Sequence, residues 1–254
     1  MTTKLQEMTW EDVKEYLSHD ERIMIPVGST EQHGAFAPLG TDTIVALSLA
    51  EDAASKTGVL VTPPLWFGWS PHHMVLPGTI TIRPIVLSEL LFDVIRSLHA
   101  HGFRKFVVIN GHRIVNIPWM QIAASQAQEE LKVKVAIFDP AYMSKEVAKN
   151  LGFGKVGHAE EIEISHMLYK KPELIKKDKI ARDHVPPEKN LYYIDPADAR
   201  DTLCYVPSTL EDQKRLVEAT GDAISGRPSQ ASAEKGKLYH EHLVDRLVMV
   251  LKEL

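Results

Sequence analysis

A chain of 254 residues, 44% of them hydrophobic, is long enough for one large α/β domain or two small ones and for a sizeable buried core. Its net charge of −5 argues against bulk electrostatic binding of nucleic acid or of an anionic membrane, and the basic run at Lys176, Lys177 and Lys179 is interrupted by Asp178, so it reads as a solvated face. Cys204 is the single cysteine, which excludes an internal disulfide and favours a reducing compartment; the first 12 residues lack an apolar signal core and no run approaches the ~20 apolar residues of a membrane span, so a cytoplasmic, non-membrane protein is expected.

Thr9 reads as the cap of a helix over 10–17, with Asp12 at the capping-box position. A short buried strand is predicted over 22–27, ending at Gly28. An Ala/Leu-rich helix over 44–56 stops near Gly58. Strands follow at 59–62 and 79–82, then a helix over 85–101 closed by Gly102. The apolar run 105–109 is the clearest buried strand and leads directly into Asn110-Gly111-His112. A helix over 118–130 and a strand over 133–138 complete the first half. Strands alternating with helices predict an α/β fold, a mainly parallel sheet covered on both faces. Beyond it, 160–170 reads as helix and the Pro- and charge-rich 183–207 as long loops. Residues 231–254 carry Leu238, Leu243, Leu247 and Leu251 as the stripe of an amphipathic helix. No linker divides the chain, so one domain over 1–254 is expected.

Ligands of a parallel sheet bind beyond the carboxyl ends of its strands. Two strands here end in polar clusters: Gly28-Ser29-Thr30-Glu31-Gln32-His33-Gly34, with Gly40-Thr41-Asp42-Thr43 close behind, and Asn110-Gly111-His112. Two carboxylates and two imidazoles are thereby expected at one edge of the sheet. Such a mixture suits Zn²⁺, Mn²⁺ or Fe²⁺ better than Ca²⁺, which favours all-oxygen shells. Asp42, with two oxygens, could bridge two ions, and a paired centre clamps attacking and leaving atoms. Chance produces a Glu-x-His turn readily; strand end, Glu-Gln-His-Gly, Thr-Asp-Thr and a second strand ending in Asn-Gly-His together are far more specific.

Pro26-Val27-Gly28-Ser29-Thr30-Glu31-Gln32-His33-Gly34 resembles the opening motif of the creatininase (creatinine amidohydrolase) family. Leu39-Gly40-Thr41-Asp42-Thr43, His73 followed by Leu76-Pro77-Gly78-Thr79, and Val108-Ile109-Asn110-Gly111-His112 resemble its next blocks. The segment from His158 through Glu163 to Ser165 resembles a later one, and Pro228 with Ala231-Ser232-Ala233-Glu234-Lys235-Gly236 the pre-terminal one. The blocks run in family order over essentially the whole chain.

The resemblance implies a three-layer α/β/α fold, one or two divalent ions per subunit (zinc or manganese, with iron admitted) and hydrolysis of cyclic or linear C–N bonds of a small molecule. By position, Glu31, Asp42 and His112 would hold one ion, and His33 and Asp42 a second, with Asp42 bridging. His158 takes the place of the family's catalytic histidine. One departure matters: where creatininase has a metal-binding glutamate, two residues after the third-motif histidine, this chain has Ile114. Either Glu163 completes the second site, as ligand and part of the catalytic group, or only one ion binds firmly. The alternative for Glu163 is a capping or core-satisfied acid, and for Glu160 and Glu161 an acid pair favoured by a helix N-terminus. Arg113 could grip an anionic or polyhydroxylated ligand through its fork of donors, or face solvent or a subunit interface. Trp66, Trp69, His72 and His73 could wall the site, and His73 and Trp69 are taken as substrate-binding. Cys204 reads as structural, and nothing specific supports Tyr192 and Tyr193 as substrate-loop residues.

The resemblance leads to a metal-dependent hydrolase acting on a polar cyclic carbonyl, with a cyclitol-derived diketone of the 3-dehydro-scyllo-inosose type in inositol breakdown as the preferred substrate and creatinine disfavoured. An amide or formamide hydrolase of a nucleotide pathway, and a non-catalytic metal-binding scaffold, are the alternatives. The resemblance also implies a homo-oligomer, a hexamer, with 183–207 as candidate subunit contacts.

Overall fold

The computed structural model describes residues 2–180, 182–186 and 206–254. Among them, four strands form one parallel sheet: β1 (Arg22–Val27), β2 (Leu60–Val61), β3 (Lys105–Asn110) and β4 (Lys134–Phe138), in the order β2-β1-β3-β4. Among the described residues, nine α-helices accompany it: α1 (Trp10–Tyr16), α2 (Thr41–Thr57), α3 (Pro84–His101), α4 (Ile117–Leu131), α5 (Pro140–Met143), α6 (Lys145–Asn150), α7 (Glu161–Lys170), α8 (Leu210–Thr220) and α9 (Ala233–Glu253). None of the described helices is long and apolar enough to cross a membrane.

Period-2 alternation sends side chains of each central strand to opposite faces, and both faces are buried. Met24, Val107 and Ile109 pack with Leu49, Ala53, Met167, Leu243 and Leu247, so α2, α7 and α9 cover one face. Ile23, Ile25, Phe106 and Val108 pack with Leu91, Ile95, Trp119 and Met120, so α3 and α4 cover the other. That is the expected three-layer α/β/α arrangement. Burying a side chain of Leu or Ile size contributes about 1.5–3 kcal/mol, so these two clusters dominate the stability of the layers.

Local rules account for most element ends. The capping box at Thr9 forms, with Thr9 N donating to Asp12 Oδ2 at 2.7 Å. Gly58 closes α2 at φ 73°, a left-handed conformation that glycine adopts without a Cβ clash. Four expectations need correction. Helix α2 begins at Thr41, so Asp42 sits in a first helical turn rather than in a loop. Residues 79–82 form no strand of the sheet: Ile80 and Ile82 donate to Thr30 and Gly68 on the loops after β1 and β2 and make only isolated bridges. Leu238 is 47% exposed, and Gly236, Tyr239 and His240 turn inward beside Leu243 and Leu247. Helix α8, just after the region taken as loops, was not expected. Cys204, Tyr192 and Tyr193, and most of 183–207, lie outside the described residues.

Candidate metal centre

The strand order reverses between β1 and β3: the chain moves from β1 outward to β2, then returns to β3 on the other side. A switch of this kind opens a crevice beyond the carboxyl ends of the two strands. Val27 pairs with Asn110, so both strands end level and their loops face the same crevice. Gly111 makes the third element fit. A Cβ there would collide with the backbone of Asp42, so the bare glycine lets the first turn of α2 press against the end of β3.

The side chains converge as expected from their positions. His112 Nδ1 lies 3.3 Å from Glu31 Oε1 and 3.1 Å from Asp42 Oδ2. His33 Nε2 lies 3.2 Å from Asp42 Oδ1 and 3.6 Å from Glu163 Oε2. The two oxygens of Asp42 therefore face two different imidazoles. His158 Nδ1 lies 3.6 Å from Glu31 Oε1, and His73 Nε2 3.5 Å from the same oxygen. Three metal-capable groups result: Glu31 with Asp42 and His112, His33 with His158 and Glu163, and Glu31 with His73 and His158.

Backbone contacts fix the imidazoles from behind. His33 Nδ1 meets the Glu31 carbonyl at 3.1 Å, and His112 Nε2 meets the Trp69 carbonyl at 3.3 Å. Each contact is satisfied by an N–H on that nitrogen, so the other nitrogen, once it gives up its proton to a cation, offers a lone pair aimed into the cluster. His33 Nε2 and Asp42 Oδ2 are buried and have no partner of hydrogen-bonding geometry. Buried polar atoms are otherwise nearly always bonded, and donors that converge on a point rather than on each other fit a cation. The electrostatics agree. Burial alone would depress the His33 imidazole, but Asp42, Glu163 and Glu31 outweigh it and push its pKa up to about 10. Burial would raise Glu31, yet the surrounding imidazoles, His112 foremost, hold it at about 2. The cluster is built to retain positive charge.

Some residues were not anticipated. Gln32 Nε2 contacts His73 Nδ1 at 3.0 Å and the Ala223 carbonyl at 3.2 Å, while its backbone carbonyl lies 2.6 Å from His158 Nε2. His158 Nε2 also lies 2.9 Å from Gln32 Nε2, so Gln32 holds this nitrogen and leaves Nδ1 facing Glu31. Ser70 Oγ donates to Glu31 Oε2 at 2.5 Å. Gln32 sits inside the Glu-Gln-His-Gly motif and Ser70 two residues before His72, so proximity to motif positions was the available signal.

Arg113 does not face solvent. It is buried, and its Nη2 lies 2.6 Å from Glu160 Oε1 and 2.7 Å from Glu163 Oε1. Glu160 does cap α7, accepting from Glu163 N, but it is buried rather than a solvated acid. Glu161 is likewise buried and pairs with Arg227 at 2.8 Å. The Trp69 ring packs partly buried against the α3–α4 core, and its backbone carbonyl is what reaches His112. Trp66 is 42% exposed. His72 and His73 form a tilted ring pair with centres 4.0 Å apart, and His73 stacks on His158 at 3.9 Å. Ile114 has a φ of 68°, an outlier for a β-branched residue, and Asp139 Oδ2 accepts its N–H at 2.7 Å.

The family described as creatininase (creatinine amidohydrolase) matches residues 6–251. The chain belongs to the creatininase family. A 3-dehydro-scyllo-inosose hydrolase of Thermotoga maritima is 29% identical over 98% of this chain and 82% of its own length. Creatinine amidohydrolase of Pseudomonas putida is 26% identical over 97% and 95%. A mutant creatininase superposes with a TM-score of 0.80 at 26% identity, over 100% of this chain and 98% of its own. Solved creatininases include a Zn-Zn form and a manganese form. Family membership and hydrolase relatives make the chain a metal-dependent hydrolase.

Proposed function

We propose that the chain, folded as a single hydrolase domain, opens the ring of a small polar carbonyl compound, a cyclitol-derived 1,3-diketone of the 3-dehydro-scyllo-inosose type. The observation that carries the hydrolytic reading is the convergence of Glu31, Asp42, His112 and His33, with buried His33 Nε2 and Asp42 Oδ2 lacking any hydrogen-bond partner. The substrate class is supported by likeness to the Thermotoga hydrolase over nearly the whole chain and by Ile114, where a creatininase-type glutamate would stand.

Glu31, Asp42 and His112 would hold zinc or manganese, and His33 with Asp42 and Glu163 would offer a second position. A divalent ion there polarises a carbonyl and lowers the pKa of water toward neutrality. The protein does the rest. The Glu31 and Trp69 carbonyls aim His33 and His112, and Gln32 fixes His73 and His158. Water adds its oxygen to one ring carbonyl, and the bond to the carbon between the two ketones breaks. That carbon keeps the electron pair, delocalised onto the second ketone, and receives from His158 Nδ1 the proton that this nitrogen took from the attacking water. One carboxylate forms per ring opened. His73 and Trp69 border the substrate. A closed homo-oligomer, a hexamer, and a cytoplasmic setting belong to the same reading.

A substrate panel tests it. Protein loaded with zinc or manganese should release a carboxylic acid from the inosose diketone and turn creatinine over poorly. Efficient creatinine hydrolysis would overturn the substrate assignment. Likeness to a creatinine amidohydrolase over 97% of the chain favours an amide hydrolase as the second reading, and release of formate or amine from an amide panel would establish it.

A further inference from the structure

The two halves of the cluster differ in what approaches their carboxylates. Glu31 and Asp42 are approached by imidazoles, which become neutral ligands once they surrender a proton. Glu163 is approached by a guanidinium, which stays charged at every accessible pH. Both Glu163 oxygens are already engaged: Oε1 with Arg113 Nη2 at 2.7 Å, and Oε2 with the Ala159 N–H at 2.8 Å. Glu160, fully buried, anchors the same Nη2 from the other side at 2.6 Å, so the guanidinium has little room to swing away.

We propose that Arg113 is a built-in counter-cation that weakens the second metal position, making this chain a one-ion centre with its firm site at Glu31, Asp42 and His112. A dication bound through Glu163 would share one carboxylate with a permanent positive charge, in a buried setting where charges interact strongly. The residue that could have compensated is missing, because Ile114 offers no carboxylate and its backbone is tied to Asp139. Ordinary outer-shell partners of a metal-binding carboxylate donate to it and raise metal affinity. Arg113 donates but also repels, and the direction of its net effect is the claim. Arg113 is here a positioning residue, acting on the ion through Glu163.

The inference rests on the metal-centre reading of the same cluster, and the two fail differently. The experiment is titration of the purified full-length protein with Mn²⁺, followed by isothermal calorimetry and by electron paramagnetic resonance. Wild type should take one ion tightly, showing the spectrum of an isolated ion, and a second at least about 10–100-fold more weakly. Arg113→Met alone strands two buried carboxylates and can fail to fold. The companion Arg113→Met/Glu160→Gln therefore removes the cation and one anion together, and Ile114→Glu supplies the missing ligand with Arg113 intact. Both should tighten the second ion and produce an exchange-coupled two-ion spectrum at two equivalents. Two ions of matched affinity in wild type overturn the proposal. A weaker second ion in the double variant overturns it as well, because Arg113 would then be supporting its ligand. No bound ion at all in wild type would instead sink the metal-centre reading.

Discussion

The protein carries two buried groups of histidines, and they are built on opposite principles. In the group at His166 and His240, contacts run in series: His166 Nε2 lies 2.7 Å from His240 Nδ1, whose Nε2 lies 2.7 Å from Asp52 Oδ2, and Lys170 donates to that same oxygen at 2.6 Å. This is a closed hydrogen-bonded chain that ties α7, α9 and α2 together. At the sheet edge, His33, His112 and His158 each use one nitrogen on a backbone carbonyl and turn the other toward shared carboxylates. Both places pair buried imidazoles with an aspartate, although Asp52 is partly exposed where Asp42 is buried. The difference lies in whether polar atoms satisfy one another or point together at a space, and only the second arrangement invites a cation.

Chelation should separate the two groups most sharply. Removing the ion should abolish turnover, a loss of at least about 10³-fold, and added zinc or manganese should restore it. Circular dichroism should show the helices intact, because the serial group contains no ion. Next in size, His158→Ala should lower kcat by about 10²–10⁴-fold while metal content holds, as befits a proton carrier. Loss of metal in that variant would move His158 into the ligand set, a position its place in two of the metal-capable groups also permits.

Smaller effects are expected in the serial group. His166→Leu leaves His240 with an unpaired buried nitrogen and should destabilise the fold by about 1–3 kcal/mol, whereas His166→Leu/His240→Leu should be nearly neutral. Metal content should not change in either. Acid should expose the same pair. Burial, with its charged neighbours, holds His166 well below the usual imidazole range, and burial lowers His240 too. The unfolded chain takes up protons near pH 6.5 that the folded pair resists, so stability is full above about 6.5 and declines as pH falls below it. Urea midpoints between pH 7 and 5 should fall less steeply in the double variant than in wild type. Parallel slopes would mean that the pair does not contribute.

What could be read from the chain follows the range of the interactions involved. Strands β1 and β3, the caps at Thr9 and Gly58 and the turns that carry Glu31, His33 and His112 rest on patterns a few residues long, and they stand in the structure where expected, whereas Asp42 stands in a helix. The alternating Thr79-Ile80-Thr81-Ile82 has strand composition, but its partners are loops, and pairing is decided by neighbours rather than by propensity. Helix α8 has a capping box at Thr209 and Asp212 and half-buries Leu216 and Val217, but it is short, polar overall and buries no residue fully, so it stood out little from the loops before it. Arg113 and Glu160 are separated by 47 positions. No local pattern links them, which is why a buried guanidinium was taken for a substrate grip or a surface residue. Gln32 was hidden differently, in plain view between two ligand candidates.

Elemental analysis of wild type beside two variants bears most directly on the difference between the groups. After dialysis without chelator, wild type should keep about one divalent ion per protomer, as expected for three or four convergent N/O ligands. Asp42→Ala, which removes the carboxylate facing both His33 and His112, should keep essentially none, and His166→Leu/His240→Leu should match wild type. Full occupancy in Asp42→Ala, or an ion lost with the His166–His240 pair, would contradict the assignment of the metal centre to the sheet edge.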